Sequence, residues 1–303
     1  MCGIVGVLRF NSKPVENKLI TSMMQTIKHR GPDDEGVFID GYVGLGHVRL
    51  SILDLSSAGK QPMTDPTGRY TIIQNGESYN YIELREELKT LGYQFTTQTD
   101  TEVVLNGYIE WGESVLDKLN GMFALAIYDK QEQTLFIARD RFGVKPLYYH
   151  VGEGQLIFAS EIPAILKALP DKPKANENAI FDYLVFNRTD QTEDTFFADI
   201  FKLQHGCSIT LDLKQSYTKE SLPIRKWYSL AEHVQQVKAE SGTWKGQERE
   251  HYMELFKRAI ELRLRCDVPW GVCLSGGLDS SAITATIIKE LKEPDVHSFS
   301  AVY

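Results

Sequence analysis

The sequence predicts an α+β domain over residues 1–210 and, over 211–303, a linker that leads into the beginning of an α/β domain. Two observations carry this division. Up to about residue 210, short apolar strands alternate with Gly and Asp turns, and modest helices are inserted among them. From Trp270 onward a strand, a glycine-rich turn and a helix follow directly on one another, the order typical of an α/β nucleotide domain.

The elements follow in order. MCGIVG opens the chain as a strand, and Tyr70 to Ile73 forms another. Asn80 is a candidate N-cap with Glu83 at N3, and Leu84, Leu88 and Leu91 recur at i, i+4 and i+7, so a helix is expected over 81–91, ended by Gly92. A second helix starts after Asp100-Thr101-Glu102 and carries Val103 to Ile109, with acids in its first turn. Phe123–Tyr128 with Thr134–Ala138, and Pro146–His150 with Gln155–Ala159, read as two hairpins. A proline-bearing stretch over 170–176 precedes a helix near 179–186, and Phe201 to Leu213 alternates as one strand. Residues 214–246 are polar and weakly periodic, which suits a linker. Gln247 to Leu264 reads as an amphipathic helix, Trp270 to Leu274 as a buried strand, Ala282 to Leu291 as a helix and His297 to Tyr303 as the following strand.

Composition narrows the function. The chain has 303 residues, 42% hydrophobic and 24% charged, which is ordinary globular usage with room for about two domains. A net charge of −8 argues against nucleic acid and anionic lipid as partners. The longest unbroken apolar stretch, Met122 to Tyr128, is far short of the roughly 20 residues that span a bilayer. With no signal-peptide pattern at the amino terminus, the expected compartment is the cytoplasm. Cys2, Cys207, Cys266 and Cys273 match neither a disulfide framework nor zinc-ligand spacing, so reduced thiols are expected.

Cys2 becomes the first residue once Met1 is removed. Its α-amine, titrating at about 7.7 to 8.0, could then take the proton of a thiol titrating at about 8.5, placing nucleophile and base on one residue. Alone, Cys2 could equally be the start of a core strand or an acylation site. It is followed, however, by HRGPDDEG at 29–36, GHVRLSILD at 46–54, QPM at 61–63, NGESYN at 75–80 and TDTE at 99–102. Taken together these segments resemble the glutaminase domain of class II glutamine amidotransferases. Pro32-Asp33, Arg49-Leu50-Ser51-Ile52 and TDTE resemble its asparagine synthetase branch, and GMFALAIYD at 121–129, ARDRFGVKPLYY at 138–149 and FASE at 158–161 extend the match.

The resemblance implies an amino-terminal-nucleophile fold, an αββα sandwich, with Cys2 as nucleophile. It places the Asn75 side-chain amide and the Gly76 backbone N–H in an oxyanion hole, a role physically suited to donors at a strand end, although Asn-Gly by itself also signals a hairpin turn. Arg49 is assigned to the glutamine α-carboxylate, Asp100 to its α-ammonium, Glu77 to a position beside the substrate, and backbone groups around Leu50 and Ile52 to its length. Outside this company each charged residue would read as a surface ion pair. Ser78 departs from the pattern, since family members usually carry isoleucine there, and a small polar residue would loosen the packing behind the site.

SGGLDSS at 275–281 is the second constellation. Consecutive glycines let backbone N–H groups approach phosphate oxygens at a helix start, and no Gly-Lys-Ser/Thr follows, so this is not a Walker A loop. It resembles the pyrophosphate loop of ATP pyrophosphatases, which implies ATP at Leu274, Ser275, Gly276, Gly277, Asp279 and Ser280, with Mg2+ near Asp279 through the nucleotide. The bland reading is a glycine turn between strand and helix.

Joined, the two resemblances imply that glutamine is hydrolysed in one domain. Ammonia then passes through a sheltered route to aspartate that has been adenylated by Mg-ATP, yielding asparagine, AMP and pyrophosphate. Other readings are an amidotransferase for a different carboxylate acceptor, a free-standing glutaminase, or a regulatory relic of the fold; a relic has no chemical need for an amino-terminal thiol beside an oxyanion donor. The α/β part looks incomplete, so acceptor-binding residues are expected beyond Tyr303, and a homodimer is one assembly open to the protein.

Overall fold

The computed structural model describes residues 1–11, 13–241 and 246–302. They form two compact units, Met1–Ser51 with Ser56–Ser229, and Ile52–Leu55 with Leu230–Tyr303.

The first unit contains strands β1 (Gly3–Arg9), β2 (Asp34–Asp40), β3 (Val43–Arg49), β4 (Met63–Thr64), β5 (Tyr70–Ser78), β6 (Gly121–Asp129), β7 (Thr134–Arg139), β8 (Tyr148–Gly152), β9 (Gln155–Ala159), β10 (Phe201–Lys202), β11 (Cys207–Asp212) and β12 (Ile224–Lys226). Its helices are α1 (Asn17–Thr26), α2 (Tyr81–Thr90), α3 (Asp100–Trp111), α4 (Val115–Lys118), α5 (Ile162–Ala168) and α6 (Glu177–Phe186). The strands make two six-stranded antiparallel sheets, ordered β10-β8-β9-β1-β3-β2 and β12-β11-β7-β6-β5-β4.

Period-two alternation explains why both sheets are covered on both faces. Along β1, Ile4 and Leu8 face the other sheet, while Val5 and Val7 pack under Ile20, Met23 and Met24 of α1 and Ile165 of α5. Along β6, Ala124, Ala126 and Tyr128 point inward, while Phe123, Leu125 and Ile127 meet Leu84 and Leu88 of α2 and Val103 and Val104 of α3. The result is the helix–sheet–sheet–helix sandwich that the family resemblance implies.

Three local expectations need correction. The 201–213 segment is not one strand: β10 pairs with β8 in the first sheet and β11 with β7 in the second, because the chain turns a corner at 203–206. The 214–246 stretch holds the edge strand β12 and helix α7 (Leu230–Ser241). The Asn80 side chain does not cap α2; it bonds the backbone of Lys118 and Asn120 instead.

The second unit contains α7, α8 (Glu248–Arg263), β13 (Gly271–Cys273), α9 (Leu278–Lys289) and β14 (His297–Phe299). β13 and β14 pair in parallel with α9 between them, one β-α-β step. Expected as buried, β13 is largely exposed, because β14 is its only strand neighbour among the described residues. Tyr303, expected at the end of the last strand, lies outside the described residues. Among the described residues no helix is long and apolar enough to cross a membrane.

Candidate active site

Cys2 sits immediately before β1, whose pairing with β3 brings Gly3 opposite Val48. That register sets Cys2 beside the chain leaving β3: the Leu50 N–H donates to the Cys2 Sγ at 3.4 Å, and the thiol donates to the Leu50 carbonyl at 3.6 Å. The Cys2 carbonyl is held from the other side by Arg30, whose Nε donates at 2.9 Å and whose Nη1 pairs with Glu161 at 2.8 Å. Asp33 fixes the loop further, accepting the Ser51 N–H at 2.7 Å.

Burial pushes the Cys2 thiol up, against the Leu50 N–H, the amino terminus and Arg49, which favour the thiolate. The α-amine of Met1 is shifted the other way, lowered first by its own burial and then by Arg30 and Lys145, against Cys2 and Asp33. The thiol therefore needs a base to become the nucleophile.

Asn75 and Gly76 are neither at a strand end nor in a turn. β5 runs through them to Ser78, pairing Asn75 with Ala124 and Gly76 with Phe123. Asn75 is fully buried, and its Nδ2 donates to Ser160 Oγ at 3.4 Å; the same oxygen accepts the Ile4 N–H at 2.9 Å. Ser160 thus ties the Asn75 amide to the strand that carries Cys2. Gly76 has φ +155°, and a Cβ there would lie 2.0 Å from the Met122 carbonyl oxygen, so the position admits only glycine.

The TDTE segment builds the far side. Thr99 Oγ1 accepts the Glu102 N–H at 3.3 Å, and Glu102 Oε2 accepts the Thr97 N–H at 2.7 Å, so both residues organise the start of α3. This delivers Asp100 Oδ2 to the Ser78 N–H at 2.8 Å and to Gln74 Nε2 at 3.2 Å. Burial, with Glu77 nearby, raises the Asp100 carboxyl to about 6, although the Ser78 N–H opposes the shift. Glu77 is also raised by burial and faces Lys145 and the amino terminus. Ser78 is fully buried; its N–H serves Asp100, while its Oγ has no hydrogen-bond partner among the described residues.

Arg49 closes β3, is 5% exposed, and donates from Nη1 to the Ser56 carbonyl at 2.8 Å. Gly59 lies against its guanidinium, where a Cβ would come within 2.0 Å of Nη2. The first unit therefore brings together Cys2, Arg49, Leu50, Asn75, Gly76, Glu77 and Asp100. Ile52 falls in the second unit, where its carbonyl accepts the Asp267 N–H at 2.9 Å. Arg30, Glu161, Ser160 and Lys145 were not singled out from sequence, although HRGPDDEG, FASE and ARDRFGVKPLYY carry them.

In the second unit, Gly276 takes φ +81° with open space where a Cβ would be, and Gly277 starts α9 with no side-chain cap. Ser275 Oγ accepts the Gly277 N–H at 3.4 Å and lies 3.1 Å from Ser280 Oγ. An uncapped helix start beside a left-handed glycine suits an anionic phosphate. Asp279 is the acid in the first turn of α9; among the described residues no three acidic, His or Cys side chains cluster as a metal site.

Comparison with known proteins agrees with this geometry. A family model described as a glutamine amidotransferase domain matches residues 1–222, and one described as asparagine synthase matches residues 251–303. The chain is 39% identical to asparagine synthetase (glutamine-hydrolysing) 1 of Bacillus subtilis over 305 residues, covering 99% of this chain and 45% of that protein. It is 38% identical to asparagine synthetase (glutamine-hydrolysing) 3 of the same organism, covering 100% of this chain and 48% of the relative. It thus spans about half the length of these curated relatives. Among solved structures, glutamine phosphoribosylpyrophosphate amidotransferase from B. subtilis shares the fold, with a TM-score of 0.53 at 17% identity over 75% of this chain and 49% of that one. The chain belongs to the glutamine amidotransferase family, and its last residues carry asparagine synthase sequence.

Proposed function

We propose that this protein is a glutamine-dependent asparagine synthetase whose first unit releases ammonia from glutamine. The observation that carries the reading is the seating of the Cys2 Sγ on the Leu50 N–H, with Ser160 tying the strand that follows Cys2 to the Asn75 amide. Once Met1 is removed, the Cys2 amine accepts the thiol proton and the sulfur adds to the side-chain carbonyl carbon of glutamine. The oxyanion is met by the Asn75 amide and the Gly76 N–H. Collapse breaks the C–N bond, the ammonium returns its proton to the departing nitrogen, and ammonia leaves a glutamyl thioester. Water then attacks the thioester carbon, giving glutamate and restoring the thiol. Arg49 takes the substrate α-carboxylate through a bidentate fork, and Asp100 takes the α-ammonium.

Leu274, Ser275, Gly276, Gly277, Asp279 and Ser280 would hold the phosphates of ATP, with Asp279 as the carboxylate that shares Mg2+ with them. When bound, that ion supplies neutralisation of phosphate charge. ATP and aspartate are the co-substrates by similarity to the Bacillus enzymes, and asparagine, AMP and pyrophosphate are the products.

Glutamate release by the Met1-free protein tests the first half, with Cys2→Ala as control. Release that disappears in the variant while the fold is retained supports the reading; release that survives in Cys2→Ala overturns it. The acceptor is tested in the full-length protein by aspartate-dependent pyrophosphate release, and pyrophosphate formed without any need for aspartate would redirect the assignment to another carboxylate.

A further inference from the structure

Asp100 does not stand alone at the start of α3. Gln74 lies in β5 immediately before Asn75 and is 1% exposed. Its backbone N–H donates to Gln61 Oε1 at 2.6 Å, and its carbonyl accepts from His47 Nε2 at 3.1 Å, both side chains being buried. Gln61 in turn donates from Nε2 to Thr101 Oγ1, in the first turn of α3, at 3.1 Å. Gln74 is thereby fixed against β3 on one side and against the start of α3 on the other.

From this frame Gln74 Nε2 donates to Asp100 Oδ2 at 3.2 Å, onto the oxygen that also takes the Ser78 N–H at 2.8 Å. Two donors four residues apart on one strand converge on one carboxylate oxygen, which sets the direction in which Asp100 is presented. The other half of the Gln74 amide is unmet: Oε1 is buried and has no hydrogen-bond partner among the described residues. A buried carbonyl without a donor is destabilising, and the cluster on this face of β5 is built from apolar side chains such as Ile72, Val103 and Val104. Methionine, of similar length, would fill the place without leaving an oxygen unpaired. What the amide provides and methionine lacks is the N–H given to Asp100.

We propose that Gln74 is a positioning residue for recognition of the substrate α-ammonium: it aims the Asp100 carboxylate, so that the site selects an α-amino substrate over the same chain without the amine. This rests on the glutaminase reading above, in which Asp100 takes the α-ammonium. A carboxylate held in one direction meets an ammonium with a well-aligned charge-assisted bond, and one released to turn loses that alignment. The effect is confined to the amine, because in that reading the amide end of glutamine meets Cys2, Asn75 and Gly76, and its α-carboxylate meets Arg49.

The test is glutamate release by Met1-free protein, with glutaramate as competitive inhibitor. Glutaramate is the glutamine chain with hydrogen in place of the α-ammonium. In Gln74→Met, KM for L-glutamine should rise about tenfold while kcat stays within about twofold, and the inhibition constant of glutaramate should not rise. A disturbance of the strand alone would weaken both ligands together or lower kcat. An active wild type whose KM is unmoved in Gln74→Met therefore overturns the proposal, as does a glutaramate constant that rises as much as KM, or a loss confined to kcat. Gln74→Asn keeps an amide but draws it back by one methylene; it carries the same expectation and decides the matter should Gln74→Met fail to fold. A Met1-free wild type that is folded yet releases no glutamate overturns the glutaminase reading itself and this proposal with it, an outcome distinct from an active enzyme with unchanged selectivity.

Discussion

Gly76→Ala separates the demands of the strand from those of the chemistry. The new Cβ would fall 2.0 Å from the Met122 carbonyl oxygen and 2.6 Å from Phe123 Cα, both backbone atoms of β6, so no rotamer can relieve it. β5 and β6 would have to part by about 1 Å, an overpacking that typically costs about 1–3 kcal/mol. The φ of +155° adds backbone strain of about 1–3 kcal/mol for a residue with a side chain. Together the change should remove about 3–5 kcal/mol from the first unit. Gly68→Ala is the control: its φ is +74° but nothing lies within 4 Å of the added atom, so only strain of about 1 kcal/mol is paid. Native-state hydrogen exchange of the β5 and β6 amides reads the opening free energy of this unit. A drop at Gly76 no larger than that at Gly68 would refute the claim that the backbone of β6 dictates glycine beside Asn75.

Three further outcomes follow from the site. The Asp100 carboxyl, raised from 3.8 to about 6, contributes stability that is present below its unfolded value and lost as pH rises through about 6. Asp100→Asn should therefore stabilise the protein at pH 7 by about 2–3 kcal/mol in urea denaturation while abolishing glutamine capture, and no gain at pH 7 would contradict the burial penalty. Arg49→Lys should raise KM for glutamine far more than it lowers kcat, because a point charge replaces a bidentate fork; steady-state kinetics showing equal losses would exclude a binding role. Asp140→Ala removes the acceptor of four backbone donors around a buried turn, and a thermal melt should show destabilisation of about 3 kcal/mol or more, accompanied by loss of glutaminase activity.

What was legible from sequence, and what was not, divides along physical lines. α2 announces itself through Leu84 and Leu88 on one face and Gly92 behind them, and its buried residues include both leucines. α1 goes unread: its first turn has no acid, its N-cap Glu16 makes no side-chain bond, and its apolar Ile20, Met23 and Met24 are broken up by Thr and Ser. Alternation over 201–213 holds on both sides of the corner, but period two says which residues face inward, not which sheet receives them. Asn75-Gly76 shows a local signal losing to its surroundings, since the turn preference of the dipeptide yields to continuous pairing with β6.

The site divides in the same way. Cys2, Arg49, Glu77 and Asp100 stand in motifs that resemble a family, whereas the contacts of Arg30 and Ser160 and the burial of Lys145 depend on tertiary packing, which no linear pattern displays. A lysine in a polar turn is ordinarily solvated. Only when β6 and β7 are paired, and Asp140 is seen folding the turn against Phe123, does Lys145 become almost wholly buried.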